Sequence, residues 1–343
     1  MENKRNWKVA VIKGDGVGPD VVNAALLVLE AVRSKFKLEI EYVNTDAGLN
    51  CVEKFGTNLP KETLETLKQT DCVLKGPTTT PEGADSLPSA NVGIRKYFDL
   101  YADVRPNKTL PNVPSIKPDV DMVIVRENTE GMYSGLDFRV NSETTVGLRV
   151  ITRKACERIV RYAFKLAEKR KKHVTLVHKG NVLKVSDGMF KDIFYDIAKE
   201  YSDIKADDAH VDAITQWFIK QPEFYDVIVT ENLFGDIISD EAAMIVGGIG
   251  TGASANIGEN YAMFEPIHGS VPKYTGMDKV NPIGTIMSVK MMMDWMGYDD
   301  AAKAIEDAVH KVLEEGKVLT YDLGGTAKCS EVGREIAGKI GSI

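Results

Sequence analysis

The sequence predicts an α/β fold with a largely parallel sheet, on three observations. Short β-rich runs ("KVAVI", "DCVLKG", "DMVIVREN", "HVTLVHKG", "DVIVTENL") alternate with helical patterns such as "ACERIVRYAFKLAEKRKK" and "AAKAIEDAVHKVLEEG". That alternation marks strands joined by helices. The first strand, residues 9–12, feeds a glycine-rich turn that opens the helical pattern "VVNAALLVLEAV". The chain has 343 residues, 43% hydrophobic and 27% charged. It can form two domains, since one core rarely grows past about 250–300 residues.

The elements follow in chain order. The first turn, "KGDGVGPD", spaces its glycines as GxGxG, and Pro19 stands where a dinucleotide fingerprint needs its third glycine. Proline suits the first turn of a helix, so a tight strand-to-helix turn is expected here rather than a pyrophosphate cradle. "MENKRNWKVAVI" runs almost directly into that strand and leaves no room for a leader, so a cytoplasmic location is expected. No apolar run approaches the ~20 residues of a membrane span. Cys51, Cys72, Cys156 and Cys329 form no CxxC pair and are expected as reduced thiols. A net charge of −7 argues against nucleic acid as a partner. Residues 132–152, "MYSGLDFRVNSETTVGLRVIT", break the alternation and read as an extended arm or hairpin.

Three places concentrate chemistry. Arg95, Arg105 and Arg126 each follow or end a short ordered segment, and arginine grips carboxylates with two parallel bonds. Surface salt bridging is the ordinary fate of an arginine, but Arg126 ends the apolar strand "MVIV", where open α/β sheets meet their ligands. Asp236 and Asp240 stand four apart on a helix expected to begin near Gly235, so two hard oxygen ligands can meet one divalent cation. Asp212, on a different element, is a possible third ligand. The segment "FEPIHGSVPKYTGMDKVNP" has too many prolines and glycines for regular structure and reads as a long functional loop. His268 there can meet a base, and Lys273 and Tyr274 a phosphate.

"GDGVGPD", "SANVGIR" with "DLYADVRP", "RENTEGMYSG", "HKGNVLKVSDGMF", "NLFGDIISD", "GGIGTGASANIG", "FEPIHGSVPKYTGMDKVNP" and "YDLGGTAKCSE", in that order, span essentially the whole chain. Together they resemble the β-decarboxylating 2-hydroxyacid dehydrogenases, the isocitrate, isopropylmalate and homoisocitrate enzymes. The resemblance implies a non-Rossmann α/β fold of two domains around a cleft. The large cofactor-binding domain would comprise residues 1–98 and 255–343, and the small domain residues 99–254. An arm of about residues 131–150 would be exchanged within a homodimer. It further implies that Arg95, Arg105 and Arg126 hold substrate carboxylates, and that Asp212, Asp236 and Asp240 bind Mg²⁺ or Mn²⁺. Tyr133 and Lys179 become the catalytic acid and base, with Lys179 and Asp212 reaching the site from the partner subunit. A lysine base needs nearby cations or burial to lower a titration point normally near ~10.4. Thr79, His268, Gly269, Lys273, Tyr274, Asn281 and Tyr321 become cofactor-binding.

Within the family, Ser89 and Asn91 match the Ser-x-Asn of isocitrate enzymes, where isopropylmalate enzymes carry apolar residues. The expected reaction is therefore NADP-dependent oxidative decarboxylation of isocitrate to 2-oxoglutarate. Homoisocitrate, one methylene longer, is the runner-up, 3-isopropylmalate and other malate-type substrates are further alternatives, and NAD remains possible as cofactor. Lys273 and Tyr274 resemble the NADP form and Tyr321 agrees. Gly325, however, stands where some NADP enzymes have a phosphate-binding arginine. A non-catalytic regulatory subunit is the rival from another class, and the presence of Tyr133, Lys179 and the three aspartates speaks against it.

Overall fold

A computed structural model describes residues 6–81 and 87–342 of the chain. The strands are β1 (Asn6–Ile12), β2 (Glu39–Asn44), β3 (Cys72–Lys75), β4 (Ala102–Lys108), β5 (Asp121–Glu127), β6 (Asp137–Arg139), β7 (Thr145–Gly147), β8 (His173–His178), β9 (Lys205–His210), β10 (Val227–Thr230), β11 (Ala253–Ile257) and β12 (Ala262–Pro266). The helices are α1 (Gly18–Phe36), α2 (Val52–Phe55), α3 (Lys61–Lys68), α4 (Ala90–Tyr97), α5 (Arg153–Ala167), α6 (Ser186–Ala198), α7 (Val211–Lys220), α8 (Asn232–Val246), α9 (Ile283–Trp295), α10 (Asp299–Glu315) and α11 (Cys329–Ser342).

Ten strands form one sheet in the order β2-β1-β3-β12-β11-β4-β5-β10-β8-β9. Pairing is parallel on both flanks, as the alternation of strands and helices predicts, and antiparallel where β11 and β4 join the halves. The central register places Asp103 opposite Arg126 and Asn256, and Ser254 opposite Glu265. Because side chains alternate across a sheet, Asp103, Arg105, Arg126, Ser254, Asn256 and Glu265 share one face. Val104, Ala255 and Phe264 occupy the other and join the main core. The same strands thus lay a polar floor on one side and an apolar wall on the other.

The turn before α1 is held by backbone contacts. Asp15 N donates to Pro77 O at 2.8 Å and Val17 N to Ser270 O at 2.9 Å. Gly14 and Gly16 have φ of +73° and +57°, and a Cβ would lie 2.2 Å from Pro77 O or 2.0 Å from Ser270 O. Only glycine tolerates both the conformation and the approach. The buried Asp15 carboxylate accepts from the backbone N–H of Leu49, Asn50 and Thr79. The turn's own N–H groups at Asp15 and Val17 thus bind carbonyls of the protein itself.

Helix α5 is capped by Thr152, whose side chain accepts from Ala155 N, and it buries Cys156, Ile159, Val160, Ala163, Phe164 and Ala167 at helical spacing. Helix α9 is packed between the sheet and α10, burying Ile286, Val289, Met292 and Met293. Each such side chain contributes about 1.5–3 kcal/mol through burial. All four cysteines are buried, and no disulfide joins any two of them. β6 and β7 pair into a separate two-stranded hairpin carrying exposed Leu136, Phe138, Val140 and Leu148. No helix among the described residues is long and apolar enough to cross a membrane.

Candidate active site

The polar floor opens into a cleft of about 390 Å³, bounded by α4, by α8 and by the loop after β12. A cavity of about 500 Å³ lies against the apolar face, lined by Tyr162, Leu166, Met291 and Trp295. Its rim charges are already satisfied, Lys108 with Glu306 and Lys290 with Asp294 at 2.8 Å each. The smaller cleft concentrates the chemistry.

Three arginines converge there, all at least nine-tenths buried. Arg126 donates from Nε and Nη2 to Asn232 Oδ1 at 3.0 and 2.7 Å, and from Nη1 to Asp236 Oδ1 at 2.5 Å. Arg105 donates to Asp103 at 2.9 Å and to Ser239 Oγ at 2.7 Å. Arg95 donates to Glu265 at 3.0 Å, while its buried Nε has no partner. The fully buried Lys75 meets Glu265 at 2.9 Å. Burial alone would raise the carboxyls of Asp103 and Glu265, but the cations beside them, Arg105 first for one and Lys75 first for the other, hold both below the usual carboxylate range. Asp103 and Glu265 thus offset two of the four buried cations from beneath.

Helix α8 supplies the acids at the edge of the cleft. It starts at Asn232, earlier than the expected Gly235, because the Glu231 side chain caps it by accepting from Phe234 N at 2.7 Å. Asp236 and Asp240 lie one turn apart and converge on Arg105 Nη1, at 3.5 and 3.6 Å. Burial, and the neighbouring Asp236 in the face of Arg105, raise the Asp240 carboxyl, whereas Arg126 and Arg105 overcome burial and lower that of Asp236. Two hard oxygens that compete in this way suit a divalent cation. Tyr133 donates its hydroxyl to Asp236 Oδ2 at 2.5 Å, and burial together with that bond raises its titration point. Among the described residues, no group of three metal-ligating side chains forms within the chain. Asp212 instead meets Lys179 Nζ at 2.5 Å, and neither residue lines the cleft.

Ser89 and Asn91 line the cleft with Thr78 and Thr80. The Ser89 hydroxyl does not cap α4. Asn91 accepts from Thr78 Oγ1 at 2.9 Å and donates to Glu265 at 3.3 Å. His268 and Gly269 also line the cleft. His268 Nδ1 faces Gly269 O at 3.0 Å and must donate, so Nε2, buried and unpartnered, is an acceptor. Burial lowers its titration point and favours the neutral ring. An unpaired acceptor of this kind fits the amino group of an adenine. Thr79 is fixed through its N–H to Asp15 at 2.8 Å and its hydroxyl to Ser270 Oγ at 2.5 Å. Asn281 donates to Asp322 at 3.0 Å. Lys273, Tyr274 and Tyr321 form a patch beyond the cleft in which the two rings stand 5.8 Å apart. Val271 holds φ +41° between His268 and Lys273, an uncommon conformation for a β-branched residue.

The structure thus gathers Ser89, Asn91, Arg95, Arg105, Arg126, Tyr133, Asp236, His268 and Gly269 around one cleft. Asp103, Glu265, Lys75 and Asn232 were not singled out in the sequence. The signal for the first three is a charge set within an apolar strand, in "ADVRP", "AMFEP" and "CVLK".

Buried arginines, a paired-acid helix and an adenine-compatible histidine around one cleft are the features of a dehydrogenase site. The chain belongs to the isocitrate/isopropylmalate dehydrogenase family, whose model matches residues 8–336, and is a decarboxylating dehydrogenase. It is 45% identical to the 3-isopropylmalate/3-methylmalate dehydrogenase of Methanocaldococcus jannaschii, over 97% of this chain and 98% of that protein. It is 42% identical to the homoisocitrate dehydrogenase of the same organism, over 97% of each. The crystal structure of isocitrate dehydrogenase from Methylococcus capsulatus superposes with a TM-score of 0.93 at 42% identity, covering 98% of this chain and 99% of that one.

Proposed function

We propose that this chain oxidatively decarboxylates a malate-type 2-hydroxyacid with a polar C3 substituent, isocitrate, using NADP and Mg²⁺ or Mn²⁺. The observation that carries the substrate is the hydroxyl and amide lining at Ser89, Asn91, Thr78 and Thr80, beside the unpartnered Arg95 Nε. An alkyl group placed there would strand polar atoms at about 1–3 kcal/mol each. The sequence relatives favour a second reading more strongly: two of those above are named for 3-isopropylmalate/3-methylmalate and for homoisocitrate, and Val92 and Ile267 give the cleft some apolar lining.

Arg95, Arg105 and Arg126 hold the substrate carboxylates. Asp236 and Asp240, with Asp212 of the partner subunit, hold the cation, and His268, Gly269, Thr79, Asn281, Lys273, Tyr274 and Tyr321 hold the dinucleotide. When bound, the cation supplies Lewis acidity to the substrate's C2 oxygen and the dinucleotide accepts the hydride. Lys179 of the partner subunit takes the hydroxyl proton. Tyr133, protonated at neutral pH, delivers a proton to the carbon that loses CO₂. The domains are residues 1–98 with 255–343 and residues 99–254, joined as a homodimer through the hairpin arm. Steady-state kinetics with isocitrate, homoisocitrate and 3-isopropylmalate, each with NADP and NAD, test this reading. Highest kcat/KM for 3-isopropylmalate would replace it with the second one.

A further inference from the structure

Two lysines and two tyrosines meet beyond His268. Lys279 Nζ lies 4.6 Å from the Tyr274 ring centroid and 4.7 Å from that of Tyr321, and Lys273 Nζ lies 4.9 Å from Tyr274. Among the described residues, neither lysine has a carboxylate partner within ion-pair distance. Unneutralised cations beside two phenols form a receptor for a compact dianion.

Lys279 is also held in place. Asp278, in the left-handed region at φ +52°, accepts from Ser330 N at 2.8 Å and from Ser330 Oγ at 2.6 Å. Its own N–H donates to Asp20 at 3.1 Å, and its carbonyl accepts from Cys329 N at 2.9 Å. On the other side Val280 and Asn281 are buried. The backbone that carries Lys279 is therefore tied to α1 and α11, while Lys273 sits on an exposed turn. The position of Gly325 offers no cation. A Cβ there would lie 2.0 Å from Leu319 O, so this backbone excludes an arginine as it does any side chain.

We propose that Lys279 is a specificity-determining residue for the 2′-phosphate of the dinucleotide, the rigid cation of this receptor, taking the place of an arginine that the turn at Gly325 cannot carry. The assignment rests on the NADP reading above. Lys273 closes over the phosphate from the solvent side, and the Tyr274 and Tyr321 hydroxyls donate to it.

Calorimetric titration with 2′,5′-ADP and with ADP separates the two claims. The wild-type protein should bind 2′,5′-ADP at least ~10-fold more tightly than ADP. Lys279→Gln should weaken 2′,5′-ADP by about 10- to 100-fold, leave ADP unchanged and reduce the salt dependence, while Lys279→Arg should recover most of the loss. If Lys279→Gln keeps the wild-type preference while Lys273→Gln abolishes it, the role of Lys279 is overturned and the NADP reading stands. If the wild-type protein binds both nucleotides equally, the NADP reading falls and this assignment with it. An unchanged melting temperature in Lys279→Gln assigns the loss to binding rather than folding.

Discussion

Tyr133 donates to Asp236 at 2.5 Å through the carboxylate oxygen that Arg126 leaves free. The carboxylate is thus held from both sides, and a cation must share each oxygen with a donor. Excess EDTA should abolish turnover and Mg²⁺ or Mn²⁺ should restore it; full activity in chelator would remove the metal from the proposal. Asp236→Asn should raise the metal concentration needed by at least ~10-fold, while Tyr133→Phe, which frees one oxygen, should tighten Mg²⁺ binding about 3- to 10-fold by calorimetry.

Lys179 and Asp212 face each other away from the cleft. If they serve the partner subunit, mixing inactive Lys179→Ala and Tyr133→Phe homodimers under exchange conditions should restore up to about a quarter of wild-type activity. Half the dimers would be mixed, and each would hold one unaltered site. Exchange shown by mass spectrometry without recovered activity would put both residues in the site of one chain.

Ser89 makes no cap bond to α4, so its side chain can change without unwinding the helix. Ser89→Leu should lower kcat/KM for isocitrate about 10- to 100-fold and raise that for 3-isopropylmalate. An unchanged ratio would place the discriminating contact elsewhere.

Much of this was legible in the sequence. Arg126 closing an apolar strand marked the site, and Asp236 and Asp240 at helical spacing marked the acid pair. The prolines and glycines after Glu265 marked the loop. Glu265 was not legible as the partner of Lys75, because that pair forms across strands whose order no local pattern encodes, and the same order buries Asp103 beside Arg126 as well as beside its strand neighbour Arg105. Lys279 was hidden for the same reason, since Tyr321 and Ser330 come from distant segments.

Gly16 faces Ser270 O so closely that Gly16→Ala should cost at least ~2 kcal/mol of stability, measured by urea unfolding, and raise the KM for NADP by displacing the loop beside it. Normal stability would mean that the turn can open.

Asp208 accepts from Lys191 and His178, at 2.9 and 2.8 Å, and from the Tyr195 hydroxyl. Burial opposes its charge, but these donors push its carboxyl down to about 2. A depressed acid stabilises the fold above its unfolded value near ~3.9, and that contribution fades as pH falls toward about 2. Asp208→Asn should therefore lower stability at pH 7 by on the order of 1–2 kcal/mol and have little effect near pH 2. Equal losses at both pH values would point to packing instead.

The clamp of the first turn onto Ser270 also bears on the order of folding. Thr79 bonds Ser270 across 191 residues of sequence, and Asp278 bonds Asp20 across 258. Contacts this distant form late, because loop closure must precede them. At a synthesis rate of ~5–20 residues per second, the first turn waits on the order of ten seconds or more for its partner segment. During that interval the emerging chain carries its glycine turn and the open edge of β3 without their partners, and the wall proposed to hold the nucleotide is completed only once most of the polypeptide has left the ribosome.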